Sequence, residues 1–181
     1  MDFELKLRAF PKYARISILA FLVTLSFGYF TGLMYVEKTT QFSSDGIDEN
    51  YNGNENLDSN FEDYNYDSEI NEDSLTDTIK YKKSEQEIIT IIHTHVISFS
   101  LIFLALGALL CLTSFPVKLK KVLIIEPFIS IILTFGGIWL LWKEITWMKY
   151  IVMISGILLT ITFIISALLI VFELLKKNRF S

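Results

Sequence analysis

Few residues in this sequence could do chemistry in apolar surroundings. His93 and His95 stand in Ile92-His93-Thr94-His95-Val96, Glu126 precedes Pro127, Glu173 lies close to Lys176 and Lys177, and Cys111 is the one cysteine. Imidazole can ligate haem or a transition metal and can carry a proton near neutral pH. A carboxylate set in an apolar stretch suits a proton or ion route. Two residues along a helix is a rotation of about 200°, so His93 and His95 face opposite sides. One regular helix cannot offer both to a single metal; a metal-binding pair would sit three or four residues apart. The His93 side also carries Ser100, Gly107, Ala108 and Cys111, whereas the His95 side carries Phe99, Ile102, Leu106 and Leu109. Small and polar residues mark helix contacts in lipid, which places His93 inside and His95 toward the headgroups. Three roles stand open for His93: an interhelical hydrogen bond, ligation of haem b or a transition metal (with His95 as the further candidate), and proton transfer.

Glu126 has two readings. Proline is favoured at the first position of a helix, where its missing N–H has no partner anyway. On that reading Pro127 starts the third membrane helix, Glu126 caps it, and 117–125 is interfacial. On the other, Glu126 is an intramembrane carboxylate on a proton path with His93. Glu173 reads as a boundary residue that snorkels toward water. A lone cysteine forms no intramolecular disulfide, and Cys111 reads as a small inert apolar residue.

The elements that must position these residues follow from segregation of charge. The chain has 181 residues, of which 52% are hydrophobic, and it carries 16 basic and 20 acidic residues. The charges avoid four long apolar stretches, 16–36, 87–113, 122–142 and 150–172. Each reaches the roughly 20 residues needed to cross about 30 Å of hydrocarbon. A buried helix of a soluble protein is usually shorter and keeps a polar face. The first span has a basic start but no short apolar core or A-x-A site, so it reads as a retained anchor rather than a cleaved signal.

Lysine and arginine gather on the cytoplasmic side of membrane spans. The tail 1–15, the connection 114–121 and the tail 173–181 are basic and alternate with 37–86 and 143–149. The termini are therefore expected in the cytoplasm, and Lys80, Lys82 and Lys83 are a contrary signal. Tyr29, Phe30, Tyr35, Trp139, Trp142, Trp147 and Tyr150 read as an outer aromatic belt. The outer segment from Glu37 to Glu85 holds fourteen acids and four lysines. It lacks the apolar surface to offset its ordering entropy and is expected to be mostly disordered. Its acids do not follow the calcium-loop pattern. Ser84 and Glu87 match a capping box ahead of the second span.

The expected fold is therefore all-α, a four-helix transmembrane bundle with a long acidic outer loop. Gly28, Gly32, Gly107, Gly136, Gly137 and Gly156 read as helix-packing positions, within the chain or between copies. No phosphate loop, nucleophile elbow, H-E-x-x-H or C-x-x-C is present, and no basic soluble patch suggests nucleic acid. The segments 92–96, 125–128 with Gly136-Gly137, and Gly28-Tyr29-Phe30-Thr31-Gly32 together resemble uncharacterised four-span inner-membrane proteins of Gram-negative bacteria. That resemblance implies an inner-membrane location and brings no activity. The partners expected are the lipid bilayer and either further copies or a larger membrane complex. The leading expectation is a non-enzymatic accessory or assembly subunit. The alternatives are a haem- or metal-binding protein that handles electrons or protons through His93, and a small transporter acting as an oligomer.

Overall fold

The structure, a computed structural model, describes residues 6–54 and 80–176. The disorder expected of the acidic loop falls mainly on 55–79, outside the described residues, as do Lys177 and Arg179. The described residues contain helices and no strand: a short 3-10 turn Leu7–Ala9, α1 Lys12–Thr40, α2 Ser44–Asn52, α3 Glu85–Cys111, α4 Val117–Trp142 and α5 Met148–Leu175. Four of them, α1, α3, α4 and α5, are long and apolar enough to cross a membrane. The bundle therefore has a terminal end, with the start of α1 and the end of α5, and a loop end.

Inside lipid every backbone N–H and C=O must be satisfied by its own segment, which only a helix allows. The starts are set locally. Ser84 caps α3 with the full reciprocal box to Glu87, as the sequence indicates. Pro116 starts α4, and Pro127 lies inside it. The reading of Pro127 as a helix start is thus overturned. Two prolines lie at and within this span, and Pro116 takes the starting position. A helix can continue past Pro127 because it loses only one hydrogen bond there. As a result Glu126 sits about 14 Å in from the first residue of α4 and about 24 Å from the last, well inside the span.

α5 is the hub. Its face Val152, Ser155, Leu159, Thr162, Phe163, Ser166, Ile170, Glu173 and Leu174 is buried. The spacing is close to a heptad seam, the pattern that keeps one face of a helix against antiparallel neighbours. α4 packs along it most extensively, then α3, whereas α1 touches it sparsely. In α1, 6% of the apolar window is covered by protein, against 22–39% in the other three.

The loop end holds an element that sequence patterning missed. Gln41 and Phe42 both adopt left-handed φ angles of 50° and 51°, which ends α1 and turns the chain into α2. Ser43 caps α2 by accepting from the Gly46 N–H at 2.9 Å. Gly46 packs so tightly that a Cβ would stand 2.1 Å from the Thr40 carbonyl oxygen. α2 then lies across the bundle: Ile47 is buried, and Asn52 donates to the Leu141 carbonyl at 3.0 Å. Burial also pushes the Tyr51 phenol up to about 12. The chain returning from the acidic tract is tied to the same helix. Asn54 N–H donates to Lys80 O at 2.9 Å, Lys80 N–H to Asn54 Oδ1 at 2.8 Å, and Lys83 N–H to Tyr51 O at 3.1 Å.

Gly46→Ala is expected to loosen this cap, since its methyl group meets backbone that cannot swing away. Gly136→Ala, with nothing within 4 Å of its added carbon, serves as the control. Thermal unfolding in detergent should show a cost of about 1–3 kcal/mol for the first and near zero for the second. Equal midpoints would contradict the packing.

Candidate functional site

Two groups of polar side chains on the membrane helices meet at α5. The first lies midway along the bundle. Thr162 of α5 donates its hydroxyl to Glu126 Oε2 of α4 at 2.5 Å, and Ser130, one turn on from Glu126, donates to the other carboxylate oxygen. Thr134, a further turn along α4, meets Ser155 of α5 at 2.7 Å. Glu126, Ser130 and Thr134 thus share one stripe of α4, facing Thr162 and Ser155 in antiparallel register. Gly137 extends that register, with Val152 filling the space its own side chain would take. Tyr29 of α1 joins at the same depth, where its hydroxyl is 3.2 Å from Thr160 and its ring stacks on Phe163 at 3.9 Å. Tyr29 is therefore an interior residue and not part of an outer belt, because α1 runs on for three more turns to Thr40.

One turn from Thr162 on the same face of α5, Ser166 is 1% exposed. Its hydroxyl has no hydrogen-bond partner among the described residues. Serines on membrane helices ordinarily bond a carbonyl of the preceding turn, as Ser155 does with Ile151 at 2.7 Å.

The second polar place is the terminal end. Glu173 is 1% exposed, so it does not snorkel. Its carboxylate receives the Arg8 guanidinium on both oxygens, at 2.5 and 3.3 Å, and the Ser114 hydroxyl at 2.8 Å. The reason is long-range. The 3-10 turn folds back under the bundle, burying Leu7, whose N–H donates to the Leu112 carbonyl at 3.0 Å. Arg15 adds a donation to the Leu174 carbonyl. The N-terminal segment, the α3–α4 connection and the end of α5 are thereby clamped together.

The histidines do not join either place. His93 and His95 are both exposed on α3. His95 Nδ1 donates to the Ile91 carbonyl at 2.8 Å, and its ring stands 5.6 Å from Phe135 of α4 and 6.2 Å from Phe99. The expected assignment of faces is reversed. Packing between α3 and α4 is made by wide residues: Phe99 stands 5.8 Å from Phe135, and Phe103, Leu106 and Leu110 are buried further along α3, so the large side of the helix turns inward. Of the glycines, Gly107 sits against Ile124 and Gly137 against Val152, while Gly28, Gly32, Gly136 and Gly156 have nothing within 4 Å. Among the described residues no three His, Cys, Asp or Glu side chains are gathered as a metal ion would require. Cys111 is exposed at the end of α3.

At the loop end, lysines pair with acids: Lys149 with Asp45 at 2.6 Å, Lys82 with Glu144 at 2.8 Å and Lys80 with Glu49 at 3.6 Å. Lys143 lies over Trp142 and Trp139, 4.4 and 5.1 Å from the ring centroids.

A family model described as a transmembrane helical domain (Aq_1264_TM) matches residues 41–180, which takes in α2 to α5 and begins just past the end of α1. No curated protein and no solved structure matches the chain.

Removing Arg8 leaves a buried carboxylate without its cation. Arg8→Ala is expected to cost about 2–4 kcal/mol, and Glu173→Gln less, since the amide retains hydrogen-bonding capacity without the charge. Denaturation in mild detergent compares the two; an Arg8→Ala protein as stable as the parent would remove the clamp from the account. At the loop end, the Lys82 hydrogen bond, then its charge, hold the Glu144 carboxyl below its ordinary 4.5. A lowered folded-state value means the stabilisation is present above 4.5 and fades as pH falls through that lower value. The small stability difference between parent and Glu144→Gln should therefore vanish on acidification below 4.5, as melts across the acid range would show.

Proposed function

Because the chain belongs to this transmembrane helical domain family, we propose that it is a multi-pass inner-membrane protein, N and C termini cytoplasmic, that works as a non-enzymatic assembly subunit by docking α1 on the α1 of a second copy. The observation that carries this reading is the bareness of α1. Gly28 and Gly32 open a flat strip with nothing within 4 Å, continued by exposed Thr24 and Ala20 four and eight residues before Gly28. Small residues at four-residue spacing let two backbones approach closely, and such a strip is complementary to its own copy. α1 also lies outside the stretch matched by the family model. A helix that its own bundle covers so little, and that keeps a flat strip of small residues, is suited to a neighbour.

Lysine and arginine placement supports the orientation. Arg8, Arg15, Lys118, Lys120, Lys121 and Lys176 lie at the terminal end. Of the loop-end lysines, Lys80, Lys82 and Lys149 are paired with Glu49, Glu144 and Asp45, and Lys143 lies on Trp139 and Trp142, which reduces their weight as free positive charge.

In a Cys111→Ser background, Thr24→Cys is expected to form a disulfide-linked dimer in membranes treated with a copper–phenanthroline oxidant, and Gly28→Leu with Gly32→Leu should abolish it. A chain that stays monomeric at every density in the membrane would sink the self-docking reading. A cross-link to a different protein would replace the second copy with a larger complex. For orientation, an impermeant maleimide added to intact spheroplasts should modify Asn54→Cys and spare Lys118→Cys; the opposite pattern would invert the topology.

A further inference from the structure

We propose that the α4–α5 seam holds a binding site for one small, hard monovalent cation, sodium, built from Glu126, Thr162 and Ser166 midway through the membrane. This goes beyond the docking of α1 and does not rest on it.

Glu126 is a carboxylate in the middle of a span, and among the described residues it has no ion-pair partner. Its neighbours are neutral hydroxyls, Ser130 and Thr162. Ionisable groups at this depth are costly and are normally neutralised by a partner. One negative charge matches one positive charge, which favours a monovalent over a divalent ion. The available donors are all oxygens, the preference of hard cations; soft or borderline metals would take nitrogen or sulfur.

Ser166 is the independent observation. A hydroxyl that is 1% exposed and unpartnered is uncommon in a native interior and needs an explanation. It lies about 6 Å along α5 from Thr162 on the same buried face. The contacts Gly137 to Val152, Thr134 to Ser155 and Glu126 to Thr162 fix the antiparallel register. Continued by one turn, that register sets Ser166 across from Leu123. Leu123 is the residue whose carbonyl Pro127, lacking an N–H, cannot serve. A carboxylate, two hydroxyls and a carbonyl deprived of its helical donor thus lie within about one helical turn of each other along the seam. A proton on Glu126 would balance the charge but would leave the Ser166 hydroxyl and the Leu123 carbonyl without a role. Sodium uses all of them.

The test uses the full-length protein in detergent, with sodium chloride compared with choline chloride at equal ionic strength. A ligand bound by the folded state alone raises the unfolding midpoint by mass action. The midpoint should rise saturably with sodium and not with choline. Glu126→Gln should flatten the response, and Ser166→Ala should weaken the apparent sodium affinity roughly tenfold, the loss of one direct ligand. A second measurement needs no variant. Dicyclohexylcarbodiimide, which adds to carboxyls in apolar sites, should modify Glu126 of the parent protein, and sodium should protect it at fixed pH. Identical behaviour in sodium and choline would overturn the proposal. So would labelling that follows pH alone, or a sodium response retained by a folded Glu126→Gln protein.

Discussion

Hydrocarbon offers no hydrogen bonds, so every polar side chain on these helices must find a protein partner or bond back to its own turn. That requirement fixes α4 against α5. Glu126 reaches Thr162, Thr134 reaches Ser155, and Gly137 makes room for Val152. Three contacts at successive levels leave only one register between the two helices. The hydrophobic effect, which orders a soluble core, gives no such preference between helices already in lipid. α3 then adds its aromatic side, and α1 is laid on last, held by Leu22 and by Tyr29 through Phe163 and Thr160.

The two ends are finished by different means. At the terminal end one buried pair, Arg8 with Glu173, draws the N-terminal turn beneath α5, and Leu7 fills the space beside it. At the loop end the contacts are numerous and wet. The lysine pairs there are exposed, and exposed pairs of this kind each contribute little. Their backbone companions matter more. The Trp142 indole donates to the Lys83 carbonyl at 2.8 Å, and Asn52 donates to the Leu141 carbonyl at 3.0 Å. These satisfy carbonyl groups at and beside the helix ends, which have no partner within the helix.

The four spans were legible from uncharged length, and the start of α3 from Ser84 and Glu87 alone. Both are local: a membrane sets the first, and four adjacent residues set the second. What escaped depends on distant partners. α2 has little more than Ile47 and Tyr51 to bury, and nothing in its own sequence announces the α4 and α5 ends it lies on. Glu173 looks like a boundary residue until Arg8, at the other end of the chain, arrives beside it. Pro127 resembles a helix start because the sequence does not show that Pro116 already serves. The inward face of α3 is not the one its small residues indicate, because here phenylalanine and leucine fill the gap to α4. Of the candidate site, Glu126 stood out as an ionisable residue in an apolar run. Ser130, Thr134, Thr162 and Ser166 did not, since an isolated serine or threonine is ordinary in a membrane helix and gains meaning only from the helix opposite.

Asn54 and Lys80 are joined by two hydrogen bonds, side by side on the bundle. The two ends of the acidic stretch are thus held side by side. With the ends paired, a change in the length between them costs only the slow logarithm of loop closure.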